Sequence, residues 1–414
     1  MSARRTRAVL AVLLAALLGA AGCSAAPPPP RPAGIDPFFV HNTDHGPTDW
    51  FAAAVITDAQ QYWRGELPRV AGGEEWNDLD GGAHSVDTTN SAAPAPPCSS
   101  SAPEVEGNAY YCGPSDAVVW DRAALLPVLR DHYGDAAVIA VLGHEMGHAV
   151  QKRSGTDPSD RSLHVESGAD CYSGAFTRWI VDGHAPDLHL APAQLDNALR
   201  ALITFRDPVG TTSSAPDAHG TAFDRASAFQ DGYQHGPSQC TATADETAEL
   251  APHPDEPPEP LEQSLAVRPD FFADLVRKHG GSWSPPPLTW SAPRCRDSAA
   301  IAYCPPQLVA DRGALAELNR DAGDHAAATL LTSRYALSAQ DALHQPTTGP
   351  DAERRTACLT GAQTAAERRA LTPRDLDSAL RALLTGSSGH ALSGFDRVAA
   401  FRAGAAGGAH ACGE

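Results

Sequence analysis

The residues of this sequence best suited to chemistry lie in LGHEMGHAVQ, residues 142–151. Residues four apart on a helix share one face, so His144 and His148 can direct two imidazoles at one metal ion. Glu145 can reach a water on that ion and take its proton. Three solvated polar residues are the alternative. The apolar flanks VIAVLG and GHAV favour a buried helix, where unpaired polar groups would be costly. The pattern therefore predicts one zinc ion.

A catalytic zinc takes three protein ligands and keeps one position open. After His148 the chain continues AVQKRSG, with no further histidine in range. In ESGADCYSGAF, Glu166 and Asp170 again share a helical face. We expect Glu166 to be the third ligand and Asp170 to accept the outer N–H of a ligating imidazole. His164 is a rival ligand, and a solvated acidic face is the alternative for the two carboxylates.

Hydrolysis also needs a donor that stabilises charge on the carbonyl oxygen. Tyr233 and His235, in DGYQHG, are candidates by position alone. Packing or surface exposure is the alternative for such residues at a helix end.

Helices are expected to position most of these residues. A short strand is expected at AVVW, residues 117–120, after a Gly-Pro turn. Asp121 can cap a helix that reaches residue 133 and that Pro127 would divide, and Asp135 can cap the helix carrying the histidines. Further helices are expected at 166–183, from Pro192 onward and at 223–234. The fold class is therefore α+β and predominantly helical.

Two halves of the chain share motifs in the same order. LAPAQLDNALRALIT (190–204) recurs as LTPRDLDSALRALLT (371–385), and FDRASAFQDG (223–232) recurs as FDRVAAFRAG (395–404). A Pro- and Glu-rich segment, residues 249–263, separates the halves as an extended linker should. Shared Ala-rich composition is the alternative, but the motifs and four ordered cysteines favour a duplicated domain.

The second copy has lost the groups that carry the chemistry. In LTSRYALSAQ, residues 331–340, the positions of the two histidines and the intervening glutamate hold Ser333, Leu337 and Arg334. Glu353 aligns with Glu166, whereas Ala357 replaces Asp170. We expect residues 264–414 to form a degenerate metallopeptidase-like domain that covers, orients or selects substrate for the first.

The N terminus has the form of an export signal. A basic start precedes about a dozen apolar residues, the length of a signal-peptide core and too short to span a bilayer. Small residues then precede Cys23 as in a bacterial lipobox, although Ala20 stands where leucine is usual. We expect a signal peptide (1–22), lipidation of Cys23 and a Pro-rich linker (23–36), giving a lipid anchor outside the cytoplasm. Plain secretion is the alternative.

Eight further cysteines favour four disulfides, because an even count is typical of exported chains. Each copy should close its own bridges. We therefore predict the pairs Cys98–Cys112, Cys171–Cys240, Cys295–Cys304 and Cys358–Cys412.

Together, NAYYCGPSDAVVWD, VLGHEMGHAVQ, ESGADCYSGAF and FxxGYxxGxxxC resemble the bacterial neutral zinc metallopeptidase family, over roughly residues 108–240. The resemblance implies a zincin-type fold, with His144, His148 and Glu166 as zinc ligands and Glu145 as catalytic base. It also implies that the AVVW strand lies near the cleft. The chain departs from the family at Ala149, where a second histidine is frequent, and in the stretch before the third-ligand helix.

A net charge of −19 argues against nucleic acid, whose phosphates need a basic surface. The sequence predicts an exported, membrane-anchored zinc endopeptidase acting on peptides or proteins, with its metallopeptidase domain in residues 37–248. A catalytically inactive substrate-binding or scaffold lipoprotein, and a zinc amidase acting on cell-wall peptide, are the alternatives.

Overall fold

A computed structural model describes residues 35, 39–156, 163–207, 219–242, 260–293, 295, 300–367, 372–385 and 390–414. The predicted signal peptide, Cys23, nearly all of the linker 23–36 and most of the linker 249–263 lie outside these ranges. Within them, every helix is too short or too polar to cross a bilayer.

The first half combines a small sheet with six helices among the described residues. Its strands are β1 (Val40–His41), β2 (Gly82–Val86), β3 (Ala109–Cys112) and β4 (Ala117–Asp121), and its helices are α1 (Pro47–Val70), α2 (Leu125–Tyr133), α3 (Asp135–Arg153), α4 (Leu163–Val181), α5 (Leu195–Thr204) and α6 (Ala222–His235). The strand order is β1-β2-β4-β3, with β2 parallel and β3 antiparallel to β4. Strand β3 is therefore an edge, and it lies against α3.

The second half repeats this order of elements. It contains strands β5 (Leu288–Trp290), β6 (Ile301–Cys304) and β7 (Gln307–Ala310), and helices α7 (Leu261–Ser264), α8 (Asp270–Lys278), α9 (Arg312–Ala322), α10 (His325–Ala342), α11 (Pro350–Ala366), α12 (Pro373–Leu384) and α13 (Gly394–Ala411). Strand β5 is parallel and β6 antiparallel to β7. The succession from β2 to α6 thus matches that from β5 to α13, as a duplicated domain requires. The duplication itself stays a prediction.

The same close helix crossing occurs in both halves. A Cβ on Gly174 of α4 would lie 1.9 Å from the backbone oxygen of Phe229 on α6. A Cβ on Gly361 of α11 would lie 1.9 Å from that of Phe401 on α13. Because no side chain fits there, glycine sets the spacing of each helix pair.

The predominantly helical α+β class is confirmed, but some helix starts differ from expectation. Helix α2 begins at Leu125 and is continuous, because Pro127 lies in its first turn, where the backbone needs no N–H donor. Asp121 still caps it, accepting hydrogen bonds from the N–H groups of residues 123–125. Asp135 is the first residue of α3 rather than its cap, and its carboxylate pairs with Arg130 at 2.6 Å.

Four disulfides join the eight cysteines in the predicted pairs. Their Cα–Cα separations are 5.3 to 5.7 Å. Disulfides in this number are typical of the oxidising environment outside the cytoplasm.

Candidate metal centre

Helices α3 and α4 form the two walls of the site. Gly147 permits their close approach, since a Cβ there would lie 2.8 Å from the backbone Cα and oxygen of Ala169. His144 and Glu145 on α3 and Glu166 on α4 are buried. The local helical spacing therefore carries these side chains to the same buried point.

His144, His148 and Glu166 form a compact donor group. Each residue offers one atom, and these three atoms lie within 4.8 Å of one another. The Nε2 atoms of His144 and His148 lie 3.3 Å and 3.6 Å from the Glu166 carboxylate oxygens. Among the described residues this is the one group of three or more that could hold a metal ion.

The outer nitrogens of both imidazoles are already occupied. The Nδ1 of His144 lies 2.7 Å from Asp170 Oδ1, and the Nδ1 of His148 lies 2.8 Å from Gln151 Oε1. Gln151 is held in turn, since its Nε2 donates to the Val165 backbone oxygen. These contacts favour the tautomers whose Nε2 atoms are free to bind a cation.

An arginine from α6 fixes Asp170. Arg225 donates from Nε and from its terminal amine to the two Asp170 oxygens, 2.8 Å in each case, and both residues are buried. A further Arg225 N–H donates to the backbone oxygen of Phe205. Burial raises the pKa of Asp170, but Arg225 and His144 outweigh it and hold the pKa well below its usual range.

Glu145 lies beside the donor group and against the edge strand. It is 8% exposed, and its carboxylate accepts a hydrogen bond of 2.9 Å from the Tyr111 backbone N–H on β3. Burial raises its pKa to about 7, with His144 opposing and Glu166 reinforcing the shift. A carboxylate with a pKa near neutrality suits a general base.

Burial and neighbouring charges give the three donors very different pKa values. Burial lowers the pKa of His144, but the neighbouring Asp170 and Glu166 carboxylates raise it to about 10. Burial and the charge of His144 lower the pKa of His148 to about 4. Burial raises the pKa of Glu166, yet the two histidines bring it down to about 2. At neutral pH a protonated His144 therefore lies beside an ionised Glu166, and a cation that binds here takes the place of the His144 proton.

A cavity of about 1070 Å³ opens onto these residues. Its walls include the edge strand at Tyr110 and Tyr111, Lys152 on α3, and His219 just before α6. Asp207 anchors His219 by accepting its backbone N–H at 2.9 Å. The volume is enough for a peptide-sized ligand.

Three residues considered from the sequence lie elsewhere. Tyr233 packs edge-on against Phe395 at 4.9 Å and beneath the guanidinium of Arg178. His235 is exposed at the end of α6, and His164 is exposed on α4. None of the three is among the residues lining the cavity.

Other contributors had only weak signals in the sequence. Gln151 is three residues after His148, so helical spacing could have suggested the contact. Arg225 and His219 are contributed by a distant part of the chain, and no local pattern links them to the histidines.

The corresponding place in the second half is built differently. Arg334 donates to the Ile301 backbone oxygen, where Glu145 in the first half accepts from strand β3. Glu353 accepts from the backbone N–H groups of Ala391 and Leu392. A positively charged hydrogen-bond donor therefore stands in the second half where the first half has the acceptor Glu145.

Comparison with known proteins gives few relatives. No protein-family profile matches the chain. An alignment of 157 residues is 31% identical to the "Uncharacterized protein YpfJ" of Escherichia coli strain K12, and the protein of that name from E. coli O6:H1 matches equally. The alignment covers 32% of this chain and 52% of each relative, so the chain spans about half the length of the curated relatives it matches. No solved structure matches.

Proposed function

We propose that this chain is a zinc-dependent endopeptidase of the neutral zinc metallopeptidase type. His144, His148 and Glu166 hold the ion, and Glu145 is the general base. The observation that carries the proposal is the buried His-His-Glu group, whose two Nδ1 atoms are occupied while both Nε2 atoms approach one carboxylate.

The donors suit zinc in number and in type. Two imidazoles and one carboxylate form a common ligand set of catalytic zinc hydrolases. Glu166 Oε2 is buried without a well-formed hydrogen bond, which is costly unless a cation satisfies it. Asp170 and Gln151 supply the outer contacts that orient ligating histidines.

The residues around the donors have separate tasks in peptide hydrolysis. Zinc held there supplies a Lewis acid and lowers the pKa of water to near neutrality. Glu145 takes the proton of the attacking water on its carboxylate and delivers it to the departing amine. The Tyr111 N–H already donates to Glu145, and an extended peptide can pair with the remaining outward backbone groups of the edge strand β3.

The export prediction completes the proposal. Four disulfides suit an extracytoplasmic protein. We propose that Cys23 carries the lipid anchor, so that the cavity faces peptide or protein substrates outside the membrane.

Activity measurements on the Glu145→Gln variant test the enzyme. The purified full chain, with and without added zinc, is assayed on an unfolded protein and on cell-wall peptide amides. We expect wild type to cleave peptide bonds, and Glu145→Gln to keep its zinc and lose turnover by at least about 100-fold. Wild type that binds zinc without cleaving either substrate would favour a binding lipoprotein, and cleavage of cell-wall amides alone would favour an amidase.

A further inference from the structure

The last two helices of each half pack against those of the other half in matched contacts. Phe223 packs edge-on against Phe401, and Phe229 against Phe395, with ring centroids 6.5 Å apart in both pairs. In the motif FDRxxAF, Phe223 corresponds to Phe395 and Phe229 to Phe401. The two contacts are therefore related by an approximate twofold axis, as in a symmetric dimer.

Two aspartates add matched hydrogen bonds to these aromatic contacts between the halves. Asp196 on α5 accepts from the backbone N–H groups of Gly394 and Phe395 at 2.8 and 2.7 Å, where α13 begins. Asp377 on α12 accepts from the Phe223 N–H at 3.1 Å, where α6 begins. They occupy the same place in LDxALRAL, and each is 7% exposed. Each half thus satisfies the first N–H groups of the other's last helix.

Only the Asp377 contact leads to the metal centre. Its second oxygen lies 3.2 Å from Nε of Arg206. On one side of Arg206, the Phe205 backbone oxygen accepts from Arg225. On the other side, Asp207 accepts the backbone N–H of His219 in the cavity wall. One carboxylate therefore accepts a hydrogen bond at the start of α6 and forms an ion pair with the segment 205–207.

From the segment 205–207 the contacts continue through Arg225 and Asp170 to His144, a proposed zinc ligand. Arg225 follows Phe223 by two residues and grips Asp170, and Asp170 holds the Nδ1 of His144. On the opposite side of the interface the chain of contacts ends. Arg397 corresponds to Arg225, but among the described residues it donates to the backbone oxygens of Leu383 and Leu392 and to no carboxylate. Ala357 stands where Asp170 would be needed.

We propose that Asp377, supplied by the half without metal ligands, is a positioning residue for the metal centre of the first half. It acts through Arg206, α6 and Arg225 to set the orientation of the His144 ring. The described cavity lining comes from the first half alone, so the second half works from behind the site. This inference rests on the metal-binding part of the proposed function and does not require peptidase activity.

The test compares Asp377→Ala with Asp196→Ala in the full chain. These changes remove matched caps from one interface, so we expect similar losses of melting temperature. Only Asp377→Ala should weaken zinc binding, by about 10-fold or more in competition with a chromophoric chelator. It alone should also shift the visible spectrum of the cobalt-loaded protein and speed amide hydrogen exchange in residues 205–207 and 222–225.

Equal zinc affinities for the two variants, with wild type binding zinc, would overturn the inference and leave the proposed function standing. A wild type that binds no zinc would overturn the proposed function, and the metal role of Asp377 with it. Should Asp377→Ala fail to fold, Asp377→Asn is compared with Asp196→Asn by the same measurements. A smaller effect in the same direction supports the role of Asp377, and equal affinities contradict it.

Discussion

Arg225 grips Asp170 with two hydrogen bonds of 2.8 Å, although 55 residues separate them in the sequence. Asp170 also contacts His144 at 2.7 Å. A buried carboxylate between a guanidinium and an imidazole holds both in fixed positions. The ion pair thus connects the stability of the first half to the orientation of a proposed zinc ligand.

Replacing Asp170 by Asn should harm both properties. The change leaves the charge of Arg225 buried without its partner, which costs about 3 to 5 kcal/mol of unfolding free energy. Zinc affinity should fall by about 10- to 100-fold, because His144 loses its orienting contact. Denaturant unfolding and zinc competition measure the two effects. The control is Asp58→Asn, a buried acid on α1 that accepts from the backbone of residues 187 and 188; zinc affinity that falls as far in this control would refute the argument.

Glu166 and Glu353 provide a matched pair for the third ligand. They occupy corresponding positions in α4 and α11, but only Glu166 faces two imidazoles. Glu166→Gln should abolish stoichiometric zinc binding, and Glu353→Gln should leave it unchanged. Equilibrium dialysis with metal analysis checks both. Retained zinc in Glu166→Gln would remove this residue from the ligand set.

The spacing of α3 and α4 can be altered by one methyl group. In Gly147→Ala the new Cβ meets backbone atoms of Ala169 at 2.8 Å, so the helices must separate. We expect a loss of about 1 to 3 kcal/mol in unfolding free energy, with weaker zinc binding. Gly143→Ala is the control, since the nearest atom there is the Ser173 hydroxyl at 2.8 Å, a side-chain atom that can move. Equal effects of the two changes would contradict the close-packing argument.

Asp58 should make stability depend on pH. Burial raises its pKa from 3.8 to about 6, against the hydrogen bonds from the backbone of Asp187 and Leu188. The folded state then binds a proton more tightly than the unfolded chain. The Asp58 contribution is therefore fully present below about pH 4 and is lost as pH rises to about 6. The unfolding free energy of wild type minus that of Asp58→Asn should fall as pH rises from about 4 to about 6, because asparagine does not titrate. A difference that stays independent of pH over this range would contradict a raised pKa of Asp58.

Local patterns predicted a large part of the fold and of the site. The helical spacing of His144, His148, Glu166 and Asp170 depends only on near neighbours, and the structure brings all four together. Strand β4 follows equally from its short β-branched run. The sequence does not predict helix α1 by its periodicity, because residues 52–56 are buried in succession and leave only a weak amphipathic pattern.

Local sequence patterns could not predict the contacts between distant segments of the chain. Arg225 reaches Asp170 only because glycines bring α4 and α6 together, and His219 enters the cavity through its anchor on Asp207. Position in the sequence suggested Tyr233, but the second half covers this residue with Phe395. The described residues of the second half are absent from the cavity lining, and the role of that half stays a prediction.

Native mass spectrometry of the zinc-titrated full chain tests the central claim most directly. The account predicts one tightly bound zinc ion in wild type and in Glu145→Gln, and none in His148→Ala at the same zinc concentration. Absence of bound zinc in wild type, or an ion that persists equally in His148→Ala, would contradict it.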